Sequence, residues 1–181
     1  MKRRQFLFAF SGLAAAYMTR SFAAPLSSSD KVTIVQFSDD GKTLGRETLS
    51  KVRNDAEWKK RLSPLAYQVT REQGTERAFS QPGYDRHEPG LYRCVCCDNA
   101  LFDAKTKYDS GTGWPSFWQP IAPENVRNIE DRMFGMTRIE VQCALCDAHL
   151  GHVFDDGPKP TGLRYCMNTV AMRFVPKPKR N

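Results

Sequence analysis

Two cysteine pairs and one isolated cysteine carry the chemistry legible in this sequence. Cys94 and Cys97 form one C-x-x-C turn, and Cys143 and Cys146 form a second. Such a turn brings two sulfurs to one side, so two turns can surround a tetrahedral Zn²⁺ with four thiolates. A closed four-sulfur shell leaves no position for water, so one structural Zn²⁺ is expected, holding loops together. Disulfides are an alternative in an oxidising compartment. A thioredoxin-type redox motif is another, although no βαβ pattern surrounds these turns. The matched spacing favours zinc. Cys96, inside the first turn, reads as a bystander.

The isolated cysteine lies in Arg164-Tyr165-Cys166-Met167-Asn168. On a strand, Arg164, Cys166 and Asn168 share a face, with Val170, Met172 and Phe174 continuing it. A cationic neighbour favours the thiolate, which is the nucleophile. A core strand rarely sets Arg and Asn beside its Cys, so Cys166 reads as a site rather than as packing. His149 and His152 follow the second turn closely enough to be positioned by it. They are candidates for delivering a proton and holding substrate or water. Four cysteines already fill a tetrahedron, which argues against the histidines as ligands. Asp155 or Asp156 is a candidate to orient an imidazole. The Gly-rich run 107–118 does not match a phosphate-binding loop. Its Trp114, Phe117 and Trp118 could wall a small apolar pocket, with core packing an equal reading for Phe117 and Trp118.

These residues need a scaffold. A chain of 181 residues that is 40% hydrophobic and 26% charged suits one globular domain. Val32 to Phe37 and Leu44 to Leu49 read as a hairpin turned at Gly41. Asn54 is suited to cap a short helix with Trp58 and Leu62 on one face, and Pro64 to open a second with Leu65 and Val69 inward. Those helices show no chemistry of their own. From Leu91 to Val175 short strands alternate with turns, which predicts an antiparallel all-β core, with Leu163–Val175 as its longest strand.

Gly-Trp-Pro-Ser-Phe at 113–117, His-Leu-Gly-His-Val-Phe-Asp-Asp at 149–156 and Arg-Tyr-Cys-Met-Asn at 164–168 together resemble the B-type methionine sulfoxide reductases. The two cysteine pairs match that family's structural zinc site, and the likeness spans roughly residues 55–176. The resemblance implies a mainly β fold of two antiparallel sheets with short N-terminal helices, clipped by zinc. It implies Cys166 as nucleophile and Trp114 as the wall for the substrate methyl group. It implies supporting roles for His149, His152, Asp156, Arg164 and Asn168; from the aromatic loop itself, Phe117 is expected beside Trp114 as a substrate-binding residue. The reaction would reduce the R epimer of methionine sulfoxide in proteins through a sulfenic acid on Cys166. Many members carry a resolving cysteine in the Gly-rich loop; here that place is Thr112. A thioredoxin-like thiol, or Cys96 if it reaches, would then resolve the sulfenic acid.

The net charge of +7 at first suggests nucleic-acid binding. Residues 1–23 hold Lys2, Arg3, Arg4 and Arg20 and no acid, and Lys177, Lys179 and Arg180 crowd the other end, so the core is near neutral. No nucleic-acid partner is expected, and a zinc-ribbon binding module or a Cys166-based sensor explains the motifs less well. The partners expected are oxidised proteins and the reductant, with the chain a monomer. Residues 1–24 have a basic start, an apolar run and Ser21-Phe22-Ala23, the anatomy of an export signal, and Arg3-Arg4-Gln5-Phe6-Leu7 resembles a twin-arginine signal. The expected organisation is an export signal over 1–24, an extension over 25–54, a catalytic domain over 55–176 and a basic tail over 177–181, with a periplasmic or otherwise exported location.

Overall fold

The computed structural model describes residues 30–131 and 137–178. The expected export signal and the end of the basic tail lie outside them. The first described element is the expected hairpin, β1 (Lys31–Phe37) paired antiparallel with β2 (Thr43–Ser50). Asn125, fully buried, pins it to the domain. Its side chain accepts the Val35 N–H at 2.8 Å and donates to the Val35 carbonyl at 2.9 Å.

Helix α1 (Asp55–Arg61) starts where Asn54 accepts the Glu57 N–H, and α2 (Pro64–Glu72) starts where Ser63 accepts the Ala66 N–H with Pro64 following. Both bury one face, through Trp58 and Val69. They also support the cysteine turns: the Trp58 indole donates to the Cys96 carbonyl at 3.0 Å, and Arg71 donates to the Cys146 carbonyl at 2.9 Å. Among the described residues no helix is long and apolar enough to cross a membrane.

The remainder is the expected mainly β core. One antiparallel sheet has six strands in the order β5 (Lys107–Tyr108), β6 (Ser116–Phe117), β10 (Arg164–Met167), β9 (His149–Phe154), β8 (Arg138–Cys143) and β7 (Val126–Asp131). The other has three, β11 (Met172–Pro176), β3 (Gly90–Cys94) and β4 (Ala100–Asp103). Tyr92 and Phe102 of the smaller sheet pack on Phe117 of the larger, within a buried apolar cluster that includes Leu101, Val141, Leu150 and Met167.

The strand expected over Leu163–Val175 is two strands in different sheets, separated by a 3-10 turn at Thr169–Ala171. The chain leaves the first sheet at Asn168, whose N–H and side chain both donate to the Leu150 carbonyl. Alternation therefore ends there, and Val170, Met172 and Phe174 do not continue the Cys166 face.

Candidate active site and metal centre

Strand register assembles the site. Cys166 on β10 lies opposite His152 on β9 and Ser116 on β6. His152 lies opposite Glu140 on β8, and Ser116 opposite Tyr108 on β5. Directly opposed residues share a face. One line across five strands thus reads Glu140, His152, Cys166, Ser116, Tyr108. Gly151 lets β9 pass close behind it, because a Cβ there would fall 2.1 Å from the Cys166 carbonyl oxygen.

A cavity of about 160 Å³ opens on this line, bounded by Trp114, His152, Phe154, Cys166, Asn168, Arg138 and Thr75. On the loop side the Thr112 hydroxyl sits 3.9 Å from the Cys166 sulfur, and Ser110 links Thr112 to Ser116 at 2.8 and 2.7 Å. Burial pushes the Cys166 thiol above its ordinary range, and the Thr112 hydroxyl and Arg164 only partly offset this. Arg164 is weakened as an activator because Asp156 grips it with two bonds of 2.8 and 2.7 Å, and its guanidinium lies over the Phe154 ring.

The two histidines are held differently. His149 is buried, its Nδ1 lies 2.6 Å from Glu140, and its Nε2 has no hydrogen-bond partner. Burial works against the Glu140 carboxylate, yet hydrogen bonds from His149 and Gln142 keep it below the usual carboxylate range. His152 alone of the pair reaches the Cys166 cavity, and its Nε2 lies 3.2 Å from Asp131. Burial lowers its pKa; Asp131 opposes this, while Arg138 and His149 add to it. A second cavity of about 140 Å³ lies between the histidines, Glu140, Asp131, Arg138, Gln73 and Thr75.

Glu76 ties the walls together. It is 2% exposed, and its carboxylate accepts the Thr169 N–H at 2.7 Å and the Val170 N–H at 3.0 Å. Its own N–H donates to the Asn168 side chain at 2.9 Å, and its carbonyl accepts the Trp114 indole N–H at 3.1 Å. Trp114 and the exit from the Cys166 strand thus meet at one residue.

The sulfurs of Cys94, Cys97, Cys143 and Cys146 all lie within 4.8 Å of one another, with two separations of 3.6 Å. A tetrahedron with Zn–S bonds of about 2.3 Å has S···S edges of about 3.8 Å, so this donor set fits a divalent metal. None of the four is in a disulfide. The two turns share one local geometry. Asp98 and Asp147 adopt left-handed conformations and donate their N–H groups to the Cys94 and Cys143 carbonyls. Lys51, from the end of the hairpin, grips Asp147 at 2.6 Å.

Residues 62–176 match the SelR domain model. The chain belongs to the B-type methionine sulfoxide reductase family. It is 56% identical over 120 residues to the peptide methionine sulfoxide reductase MsrB of Thioalkalivibrio sulfidiphilus, covering 66% of this chain and 88% of that protein. It is 55% identical over 121 residues to the chloroplastic peptide methionine sulfoxide reductase B1 of Arabidopsis thaliana, covering 67% of this chain and 60% of that one. The MsrB of Pseudomonas aeruginosa is 53% identical over 120 residues, covering 66% of this chain and 91% of that protein. This chain is therefore a methionine sulfoxide reductase by family, and the N-terminal hairpin lies before the matched SelR region.

Several expected site residues stand elsewhere than anticipated. Phe117 is fully buried, stacked on Phe102 with ring centroids 4.4 Å apart, because Cys166 and Ser116 take the open face and leave Phe117 the core face. It is no wall of the cavity. Trp118 borders a separate groove with Ile121 and Leu163. Asp156 engages Arg164 and lines neither cavity beside the histidines; Glu140 and Asp131 orient the imidazoles instead. Asn168 borders the cavity, but its amide is spent on Glu76 and Leu150. Cys96 is 3% exposed and sits at the cysteine turns, outside the Cys166 cavity. Sequence reading missed Glu76, Thr75, Arg138, Asp131 and Glu140. Arg138 and Glu140 alone left a trace, as polar residues of the run Arg138-Ile139-Glu140-Val141-Gln142, whose polar and apolar residues alternate as on a strand.

Proposed function

We propose that this chain reduces the R epimer of methionine sulfoxide in polypeptides, with Cys166 as the nucleophile. The observation that carries this reading is the shared cavity of Cys166, Trp114 and His152. The indole receives the methyl group, while the sulfoxide oxygen faces His152. Cys166 sulfur attacks the sulfoxide sulfur, and the proton shared by the Cys166–His152 pair goes to the oxygen. The transient S–S bond and the sulfoxide S–O bond both break as the hydroxyl bonds to the Cys166 sulfur; two electrons pass from Cys166 to the methionine sulfur, leaving methionine and a sulfenic acid on Cys166. Methyl, oxygen and lone pair each meet a different wall, which selects one epimer.

Two external thiols then return Cys166 to the thiol, releasing water and a disulfide. Thr112 cannot form a disulfide, and Cys96 is buried at the cysteine turns, which supports an external reductant, for which a thioredoxin-like thiol is the proposed source. The four cysteines hold a structural Zn²⁺, which clips the two turns together. The basic, apolar and small-residue order of positions 1–24 supports repair of oxidised proteins outside the cytoplasm, in the periplasm of a bacterium.

A single turnover with a racemic methionine sulfoxide peptide and no reductant tests the core of this reading. Mass spectrometry should find one added oxygen on Cys166 and half of the sulfoxide consumed. Turnover by a Cys166→Ser variant would refute it.

A further inference from the structure

Phe79 is a bulky residue in the left-handed region, at φ 62°, and is 60% exposed. Neither is usual for an aromatic side chain, and backbone strain of this kind collects at functional sites. Its N–H donates to the Gly113 carbonyl at 2.9 Å, and Tyr84 buttresses its ring edge to face at 5.6 Å. The ring lies on Gly113, where a Cβ would come within 2.6 Å of it. Gly113 joins Thr112, which touches the Cys166 sulfur, to Trp114, which walls the cavity. An exposed apolar ring is thereby fixed on the residue between Thr112, which reaches the Cys166 sulfur, and Trp114, without lining the cavity itself.

We propose that Phe79 is a specificity-determining contact that packs against the residues flanking methionine sulfoxide in a polypeptide substrate. The inference rests on the reductase reading above and names what selects its substrate class. The cavity of about 160 Å³ holds a single side chain, so the flanking residues of a polypeptide must lie on the surface around it. Phe79 is the rigid apolar surface at that edge. The free amino acid has no flanking residues and gains nothing from it.

The experiment compares an oxidised peptide with free L-methionine-R-sulfoxide, using wild type, Phe79→Ala and Phe79→Asn. Asn accepts a left-handed backbone, so it keeps the loop conformation while removing the ring. For the peptide, kcat/KM should fall about tenfold in both variants, mainly through KM, the scale of losing one buried aromatic contact. For the free amino acid it should change less than about twofold. An equal fall on both substrates would show that Phe79 acts by positioning Trp114 and would overturn the proposal, as would no fall on either. Should Phe79→Ala not fold, Phe79→Asn carries the same comparison. Wild-type protein that reduced neither substrate would sink the reductase reading itself, a result distinct from any difference between variants.

Discussion

Replacing Glu76 by Gln tests whether one buried carboxylate holds both the Trp114 wall of the cavity and the end of the Cys166 strand. The change is nearly isosteric, so it creates no cavity. One oxygen still accepts the Thr169 or the Val170 N–H, now without charge assistance. The other becomes an amide NH₂ facing a backbone donor. Hydrogen bonds to a charged group contribute about 1.5–3 kcal/mol, and a buried donor left unpaired costs about 1–3 kcal/mol. Because the two losses overlap in one contact, the expected destabilisation is about 2–4 kcal/mol. In a domain of this size that lowers Tm by roughly 4–16 °C. The Trp114 indole depends on the carbonyl of the same residue, so a loosened 74–79 loop should also raise KM for a sulfoxide peptide about 3–10-fold, with kcat less affected. Urea unfolding and steady-state kinetics on the purified variant read both effects. A loss below about 0.5 kcal/mol together with an unchanged KM would refute the reasoning, because Glu76 would then be an incidental buried acid.

Cys166 is raised above the ordinary thiol value of 9.0 and His152 lowered below the ordinary imidazole value of 6.5, so between them the pair holds one proton, the form the reaction uses. Thr112, Ser116 and Arg164 face the thiol, and Asp131, Arg138 and His149 face the imidazole. kcat/KM should therefore be flat from pH 6.5 to 9.0, falling below as His152 gains a proton and above as Cys166 loses its own; an acidic limb centred above 6.5 would contradict these environments. The 3.9 Å approach of Thr112 to Cys166 predicts that Thr112→Cys installs a resolving thiol. After one turnover without reductant its peptide map should show a disulfide between positions 112 and 166, and a persisting sulfenic acid would mean that the two positions do not meet. Stripping the four-cysteine site with a chelator should release about one zinc per chain and abolish cooperative unfolding, because the two turns then lose their common anchor. An unchanged melting curve after metal loss would remove the structural role.

Features governed by local spacing were legible in the sequence. The two C-x-x-C turns, the helix starts at Asn54 and Pro64, the N-terminal hairpin and the polar strand around Cys166 all depend on neighbours within a few residues. The second sheet was less visible, since Leu163–Val175 is apolar enough to pass for one strand and only the Asn168–Leu150 bonds show where it divides. Phe117 could not be assigned a side, because neighbouring residues on a strand face opposite ways and only the pairing of β6 with β10 says which faces the core. The acids beside the histidines were misjudged for a related reason. Asp156 is close in sequence, whereas Glu140 and Asp131 arrive from other strands.

The sequence by itself determined the chemical inventory: an isolated cysteine, two imidazoles, an indole, two paired-cysteine turns and a threonine where a second thiol could have been. Tertiary structure alone decided how that inventory is wired, with His152 rather than His149 in the Cys166 cavity, Asp156 gripping Arg164, Glu76 as the hidden tie and Phe79 exposed over Gly113. The physical reason is range. Residue type and short spacing dictate what a group can do, but its pKa, its partners and its exposure come from strands brought together by register across long stretches of chain.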